Sequence, residues 1–252
     1  MADHPGGRLT IITGGTRGIG AATALRLAAD GHRLVLAYAA DDESAEATAT
    51  AVRETGAACH PVRCDLTTDE GLDALFAVAG EHGPLTGLVN NAGATFHIGP
   101  LADTEPDVVR RTIDLNLTAA LLCARRAVLA MSTDRGGTGG VIVNVSSGAA
   151  TLGSPGEYVQ YAAAKAGIDA MTLGLGTEVA GQGIRVVGVA PGHIRTRMHA
   201  DAGEPGRLDR VAPSIPLRRP GEPEEIAEAI AWLMSEAAGY VTGTTLRVAG
   251  GR

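Results

Sequence analysis

The sequence has 252 residues, of which 45% are hydrophobic, so the chain can bury one sizeable core and is not of the disordered class. Acidic residues outnumber basic ones by 28 to 21, and the formal net charge is −7, which lacks the basic surplus expected of a nucleic-acid-binding protein. No apolar run approaches the roughly 18 residues needed to span a bilayer, so a membrane partner is not expected.

Short apolar, β-branched segments alternate with longer segments of helical periodicity, a pattern typical of a doubly wound parallel sheet. The predicted strands are residues 8–13, 33–38, 59–64, 85–90, 141–145, 184–190 and 240–248. The predicted helices are residues 18–30, 43–55, 68–80, 106–132, 157–180 and 223–235. Residues 191–223 are rich in Pro, Gly and Arg and predict a substrate lid at about 193–215. We expect residues 1–252 to form a single α/β domain of the Rossmann type, with about seven strands and helices on both faces.

The first residues and the three cysteines indicate the cellular compartment in which the protein is expected. Residues 1–8 are polar and contain Pro and Gly, unlike a signal peptide. Cys59, Cys64 and Cys123 are odd in number and lack the spacing of metal ligands, so we expect buried free thiols and no metal site. Both observations favour a reducing, cytoplasmic location.

A glycine-rich turn, Thr13-Gly14-Gly15-Thr16-Arg17-Gly18-Ile19-Gly20, connects the first predicted strand to the first helix. Gly14 allows the sharp turn, Gly18 lets the backbone approach a pyrophosphate, and Gly20 lets the helix pack closely on the sheet. The helix N-terminus offers free N–H groups and the positive end of a dipole to an anion. The spacing differs from the common G-x-G-x-x-G fingerprint, but its position predicts a dinucleotide cradle.

The end of the second predicted strand bears on which dinucleotide is bound. NAD selectivity normally uses a carboxylate there to hold the ribose 2′-hydroxyl, and this sequence has Tyr38-Ala39-Ala40. The guanidinium of Arg17, inside the turn, could pair with a 2′-phosphate. We therefore expect a preference for NADP(H), while Asp41 and Asp42, just beyond the strand, leave NAD(H) possible.

Tyr161 and Lys165 are four residues apart in a predicted helix and so share one helix face. A free phenol has a pKa of about 10, too high for easy proton transfer near neutral pH, and a nearby ammonium lowers it. Lys165 is the only lysine among the 21 basic residues, which singles out an ammonium where the chain otherwise uses guanidinium groups. The pair predicts a tyrosine general acid/base, although a lone Tyr-x-x-x-Lys is more often an ordinary pair on a helix surface.

Two serines, Ser146 and Ser147, follow the predicted strand 141–145. Ligands of parallel sheets bind beyond the carboxyl ends of the strands, where a serine hydroxyl could donate a hydrogen bond to a substrate carbonyl oxygen. The alternative is that these serines form a turn or cap a helix.

On these motifs the chain resembles the short-chain dehydrogenase/reductase family, from about residue 9 to residue 251. Asn90-Asn91-Ala92-Gly93 is similar to the family's structural and adenosine-ribose motif, Asp65-Leu66 to its adenine-contacting pair, and Pro191-Gly192 to its turn beside the nicotinamide. The resemblance implies cofactor contacts by Gly14, Thr16, Arg17, Gly18, Ile19, Gly20, Asp65, Leu66, Asn91, Gly93, Tyr161, Lys165, Pro191, Gly192, Ile194 and Thr196.

The resemblance also implies a mechanism. Ser147 would polarise the substrate oxygen, Tyr161 would transfer the proton, and Lys165 would lower the tyrosine pKa and hold the nicotinamide ribose. Asn116 would complete a proton relay to solvent through a water molecule. The implied activity is hydride transfer between NADP(H) or NAD(H) and a carbonyl or secondary alcohol, by a homo-oligomer that is a tetramer or a dimer.

Three features depart from the family's pattern. Ser147 precedes Tyr161 by 14 residues where about 13 is common, which leaves Ser146 as a rival. Tyr158 competes with Tyr161 but has no lysine four residues later. Val248-Ala249-Gly250-Gly251 stands where the family usually has Val-Asp-Gly-Gly, so local subunit or loop contacts are expected to differ.

The pocket walls are expected from residues 95–100, 148–159 and 193–213. The last segment contains His193, Arg195, Arg197, His199, Arg207 and Arg210. These cations favour an anionic substrate such as a carrier-bound 3-oxoacyl thioester, or else belong to a solvated loop; a sugar or polyol is a further candidate. A same-fold epimerase or dehydratase and a non-catalytic cofactor-sensing protein stay open as alternatives, although neither explains the Asn, Ser, Tyr and Lys set.

Overall fold

Seven parallel strands form one sheet at the centre of the structure, a computed structural model that describes residues 7–252. The strands are β1 (Leu9–Thr13), β2 (Arg33–Tyr38), β3 (Cys59–Arg63), β4 (Leu85–Asn90), β5 (Gly140–Val145), β6 (Ile184–Pro191) and β7 (Thr244–Val248). Their order is β3-β2-β1-β4-β5-β6-β7, which confirms the predicted doubly wound sheet. Most of the polar beginning, on which the argument against a signal peptide rests, lies outside the described residues.

The long helices pack on both faces of this sheet, and the short ones lie in the connections between its elements. They are α1 (Gly18–Ala29), α2 (Asp42–Glu54), α3 (Asp69–Glu81), α4 (Pro106–Ile113), α5 (Ala119–Met131), α6 (Ala149–Leu152), α7 (Val159–Glu178), α8 (Met198–Asp201), α9 (Arg207–Val211) and α10 (Pro223–Met234). Neighbouring residues of β1 point to opposite faces: Ile11 packs in the cluster with α3, α5 and α7, and Ile12 in the cluster with α1, α2 and α10. Burial on both faces explains why the central strands are almost continuously apolar.

The predicted helix over residues 106–132 is interrupted in the structure. Between α4 and α5 the residues Asp114–Thr118 form a π-helical turn, a feature often found at functional sites. The wider turn is accompanied by two hydrogen bonds from the Asn116 side chain, whose Nδ2 donates to the carbonyl oxygens of Ala94, at 2.8 Å, and Thr112, at 2.9 Å. Helical periodicity alone does not reveal this insertion, because the buried positions Thr112, Asn116, Ala119 and Cys123 follow one another at the three- and four-residue spacing of an α-helix.

Other predicted boundaries differ by a few residues. The last strand begins at Thr244 and not at residue 240, because Tyr240 is fully exposed and the chain turns through Gly243, whose φ is +67°. The segment predicted as a lid contains the short helices α8 and α9. Within the described residues, no helix combines the length and apolarity that crossing a bilayer requires.

The three cysteines are buried free thiols, as predicted. Burial raises the pKa of each, to about 11 for Cys59 and Cys64 and about 12 for Cys123. The thiolate forms are therefore disfavoured, and these side chains act as small apolar groups of the core.

Candidate active site

A cleft of about 1150 Å³ opens at the carboxyl ends of the strands, between segments that follow β1, β4, β5 and β6. Because the chain order reverses between β1 and β4, this edge is the switch point at which doubly wound sheets bind ligands. The predicted residues that line the cleft are Gly14, Thr16, Arg17, Gly18, Ile19, Asp65, Leu66, Asn91, Gly93, Ser147, Tyr161, Lys165, Pro191, Gly192, Ile194 and Thr196. Gly20 and Asn116 do not line it and lie directly behind its surface.

The glycine-rich turn after β1 has the backbone that its sequence predicts. Gly14 and Gly18 have φ values of +60° and +51°, in the left-handed region that favours glycine. A methyl group on Gly20 would overlap the Gly14 carbonyl oxygen and lie 2.7 Å from Asn91 Nδ2. No side chain caps the N-terminus of α1 at Arg17, and its first turn contains no acidic residue. An open helix N-terminus beside a cleft fits the pyrophosphate of a dinucleotide.

Hydrogen bonds between Thr13 and Asn91 fix the cradle to the neighbouring strand. Thr13 Oγ1 accepts from the backbone N–H groups of Asn91, at 2.9 Å, and Ala92, at 3.0 Å. Asn91 Nδ2 in turn donates to the carbonyl oxygens of Thr13, at 2.9 Å, and Gly14, at 3.0 Å. The predicted structural role of the Asn-Asn-Ala-Gly motif thus has a physical basis, since Asn91 holds the β1 turn against the end of β4.

Charged side chains meet at the far end of the cleft, after β2. Asp41 Oδ2 lies 3.4 Å from Arg17 Nη1 and 3.7 Å from Nη1 of Arg197, which belongs to the lid. Asp41 also caps α2, accepting from the Ser44 N–H at 3.0 Å, and this hydrogen bond holds the pKa of its carboxyl below the usual value.

Asp42, the second acid that the sequence leaves open, has other partners. It accepts from the Tyr38 hydroxyl at 2.9 Å and from Arg63 Nη1 at 3.3 Å, and it does not line the cleft. Asp41 is therefore the carboxylate that bears on the choice between NAD(H) and NADP(H), and two guanidinium groups stand beside it.

Tyr161 and Lys165 are both buried in α7 and line the cleft. Lys165 Nζ lies 5.6 Å from the centroid of the Tyr161 ring and donates to the Val145 carbonyl oxygen at 2.8 Å. Burial lowers the pKa of Lys165 to about 8. Burial also raises the pKa of Tyr161, while a hydrogen bond with Ser147 acts in the opposite direction. The sequence predicts a lowered tyrosine pKa from the ammonium, whereas desolvation dominates in this structure.

The geometry separates the two serines. Ser146 is buried, and its Oγ donates to the Lys165 carbonyl oxygen at 3.2 Å, so its hydroxyl stabilises the contact between β5 and α7. Ser147 Oγ accepts from the Ala149 N–H at 3.1 Å and is the serine that bonds with Tyr161. Ser147 therefore combines the capping role that the sequence left open with a position beside the phenol, which favours it over Ser146.

The Asn116 side chain lies beneath the cleft surface, next to Gly93. Its Oδ1 is buried without a hydrogen-bond partner, and a methyl group added to Gly93 would lie 2.6 Å from this oxygen and 3.5 Å from Lys165 Nζ. The small Gly93 therefore leaves space between an unsatisfied acceptor and the ammonium. A buried polar acceptor of this kind fits a residue that holds an ordered water.

The lid arginines are engaged with carboxylates. Arg195 pairs with Glu222 at 3.1 Å and Arg197 with Asp41, while Arg207 pairs with Glu157 of the cleft wall and Arg210 with Glu204 of the lid. These carboxylates reduce the net positive charge that the lid arginines would present to an anionic substrate.

Sequence reasoning missed the partners of Tyr158. This ring packs edge-on against Tyr161, with centroids 5.6 Å apart, and its hydroxyl accepts from Arg207 Nη2 at 2.9 Å. No local signal could have revealed that bond, because 49 residues separate its ends. Because its hydroxyl already accepts from a guanidinium, Tyr158 is less suited than Tyr161 to proton transfer. Among residues 7–252, no three His, Cys, Asp or Glu side chains converge as metal ligands.

Comparison with known proteins shows consistent likeness along the chain. A family model described as enoyl-(acyl carrier protein) reductase matches residues 14–252. An uncharacterized oxidoreductase of Escherichia coli, YgfF, is 45% identical over 97% of this chain and 99% of its own. 3beta-hydroxysteroid dehydrogenase 1 of Eggerthella lenta is 39% identical over 100% of this chain and 95% of its own. The solved structure of a short-chain dehydrogenase/reductase from Serratia marcescens superposes with a TM-score of 0.89 and 33% identity, covering 98% of this chain and 99% of that one.

Proposed function

Because the chain belongs to the short-chain dehydrogenase/reductase family, we propose that Tyr161 is the general acid/base of hydride transfer between NADP(H) and an uncharged carbonyl or secondary alcohol. Membership itself makes the protein an NAD(P)-dependent oxidoreductase acting on alcohol or carbonyl groups. The observation that carries the proposal is the meeting of Ser147, Tyr161 and Lys165 at the cleft that also contains the glycine-rich turn.

The cofactor would be held along the whole cleft. The turn from Gly14 to Gly20 and the open N-terminus of α1 would bind the pyrophosphate, and Asp65, Leu66 and Asn91 would contact the adenosine half. Lys165 would bind the nicotinamide ribose. A nicotinamide cofactor, when bound, supplies or accepts the hydride. The preference for NADP(H) rests on Arg17 with Arg197 nearby, whereas the Asp41 carboxylate beside both of them would favour NAD(H).

The proton is moved by the chain's own residues. In the reducing direction, Ser147 Oγ donates a hydrogen bond to the substrate carbonyl oxygen, and the Tyr161 hydroxyl gives that oxygen its proton. The Lys165 ammonium stabilises the phenolate that results, and Asn116 Oδ1 holds the water through which the proton is replaced from solvent. In the oxidising direction the same groups act in reverse, with the phenolate as the base.

Two observations support an uncharged substrate. The lid arginines have carboxylate partners, and the wall around the tyrosines includes apolar side chains such as Phe96, Leu152 and Met198. The relative from Eggerthella lenta is named for a hydroxysteroid, which is an uncharged alcohol. A 3-oxoacyl thioester and a sugar or polyol are the competing classes, and the assay should include them.

Several further assignments remain part of the proposal. We assign residues 1–252 to one domain with a lid at about 193–215, because the segments that line the cleft all follow strands of one sheet. A homo-oligomer, tetramer or dimer, and a cytoplasmic location belong to the proposal as well, the latter on the three unpaired thiols.

The test is to follow oxidation of NADPH and of NADH, by their near-ultraviolet absorbance, against ketones, 3-oxoacyl thioesters and sugars. We expect turnover of uncharged ketones with NADPH as the better cofactor. Turnover of 3-oxoacyl thioesters alone would overturn the substrate assignment. Cofactor binding without turnover of any compound would favour an epimerase, a dehydratase or a sensor.

A further inference from the structure

A buried arginine in the lid is bonded to the residues that immediately precede the candidate catalytic helix. Arg207, in α9, is 1% exposed. Its Nη1 donates to Glu157 Oε1 at 3.0 Å and its Nη2 to Glu157 Oε2 at 2.5 Å, which makes a bidentate pair. Nη1 also donates to Glu204 Oε2 at 3.0 Å, and Nη2 to the Tyr158 hydroxyl at 2.9 Å. One guanidinium therefore binds three side chains.

Charge balance explains how a guanidinium can be buried here. Glu157 and Glu204 provide two negative charges, and Arg207 and Arg210 provide two positive ones. The Arg207 guanidinium lowers the pKa of Glu157, which keeps this carboxyl ionised. Arg210 differs from Arg207 in two respects, since its side chain is 54% exposed and it has no contact with Tyr158.

These bonds connect three separate walls of the cleft. Arg207 belongs to the lid, while Glu157 and Tyr158 end the loop before α7. The Glu157 carbonyl oxygen also accepts from the Gly99 N–H at 2.6 Å, in the wall that follows β4. Tyr158 is the N-cap residue of α7, and its ring meets that of Tyr161 at an angle of 88°. A shift of Arg207 would therefore be transmitted to the surface against which Tyr161 packs.

We propose that Arg207 is a positioning residue that holds the lid against the substrate end of the cleft and fixes Tyr158 as the wall beside Tyr161. The inference rests on the proposed function, because it assigns Arg207 to the fit of the substrate in that same site. Arg207 itself lies outside the cleft surface and acts through Glu157 and Tyr158. At the cofactor end the lid has a separate contact, the ion pair of Arg197 with Asp41 at 3.7 Å, which does not involve the Arg207 cluster.

The test compares Arg207→Met, Arg207→Lys and the matched control Arg210→Met. Methionine keeps most of the volume of Arg207 and removes its hydrogen bonds. We expect Arg207→Met to lower kcat/KM for the carbonyl substrate by roughly ten- to a hundredfold, mainly through KM, because small displacements in an active site have effects of this order. NADPH affinity should change less than KM for the carbonyl substrate, since Arg17 and the glycine-rich turn have no bond to the cluster and only Arg197 of the lid reaches the cofactor end. Arg207→Lys should recover part of the loss through one ion pair with Glu157.

A second readout does not depend on turnover. Hydrogen exchange of backbone amides in residues 193–215 should become faster in Arg207→Met and stay as in the wild type in Arg210→Met. If Arg207→Met fails to fold, Tyr158→Phe removes only the hydroxyl that Arg207 binds and should raise KM about two- to fivefold, the size of one lost hydrogen bond.

The outcomes separate the two proposals. A wild-type enzyme without turnover contradicts the proposed function, and the exchange experiment then tests the lid by itself. Wild-type turnover with equal kinetics and equal exchange in Arg207→Met and Arg210→Met overturns the role of Arg207. A loss of NADPH affinity equal to the rise in KM would also overturn it, since it would show a general loss of structure.

Discussion

Replacing Arg17 by alanine tests the assignment of NADP(H) at the point where it depends on one side chain. The guanidinium lies at the cleft surface, with 46% of its side chain exposed. A charge-assisted hydrogen bond contributes about 1.5–3 kcal/mol when protected from water, and exposure reduces that figure. We therefore expect NADPH binding to weaken by about 1–2 kcal/mol, or roughly five- to thirtyfold in Kd. NADH, which lacks the 2′-phosphate, should change less than about twofold.

Asp41 provides the complementary perturbation. Its carboxylate stands beside Arg17 and faces the region where a 2′-phosphate would be held. Asp41→Asn removes the negative charge but keeps an oxygen that can cap α2, so the fold should be preserved. We expect NADPH to bind more tightly, roughly two- to fivefold, a gain typical of an exposed charge interaction.

Asp42→Asn is the matched control, because Asp42 bonds with Tyr38 and Arg63 and does not line the cleft. The assay is fluorescence titration of NADPH and NADH into each variant at two salt concentrations, since a phosphate contact weakens as salt rises. Equal losses for both cofactors in Arg17→Ala would refute the assignment. A selective loss of NADH affinity in Asp41→Asn would show that this carboxylate binds the ribose 2′-hydroxyl, and the protein would then prefer NAD(H).

Three other predictions concern the catalytic pair and acid stability. Tyr161→Phe should reduce kcat at least a hundredfold, the usual size of general acid/base catalysis, with NADPH affinity almost unchanged; activity near that of the wild type would contradict the assignment. Burial lowers the pKa of Lys165 to about 8, so its side chain loses its positive charge above that pH. We therefore expect kcat/KM to fall as the pH rises through about 8. A kcat/KM that does not change between about pH 7 and 10 would show that the charge of Lys165 is not needed. His32 is 2% exposed, and burial lowers its pKa to about 4. Between about pH 4 and pH 6.5 the His32 side chain is therefore protonated in the unfolded chain and neutral in the folded chain. Its contribution to the free energy of unfolding should therefore decrease by about 2 kcal/mol between about pH 7 and pH 5, and urea titrations should show a correspondingly smaller decrease in His32→Asn.

Much of the candidate site follows from local patterns in the sequence. The glycine-rich turn, the Tyr-x-x-x-Lys spacing and the serines after β5 are short motifs whose backbone geometry depends on neighbouring residues. The parallel sheet then requires the segments that follow its strands to meet at one edge, so motifs far apart in the chain can be assigned to one cleft.

Contacts between distant residues required the tertiary structure. The choice of Ser147 over Ser146 depends on the direction of each hydroxyl, since one points to the Lys165 carbonyl and the other to Tyr161. The sequence predicts that Lys165 lowers the pKa of Tyr161, whereas in the structure burial of the phenol raises it, and burial cannot be read from spacing. The π-helical turn at Asn116 likewise leaves the helical periodicity of the sequence unchanged.

The sequence by itself determined the order of the strands and the long helices, the glycine-rich turn and the chemical types in the candidate site, because these depend on local periodicity and short spacings. Only the folded chain decided which charges are paired. The lid arginines look free to bind an anion in the sequence, yet Arg207 is buried against Glu157, 50 residues away. The physical reason is that electrostatic pairing depends on distance in space and on exclusion of water, and neither is encoded in any local pattern.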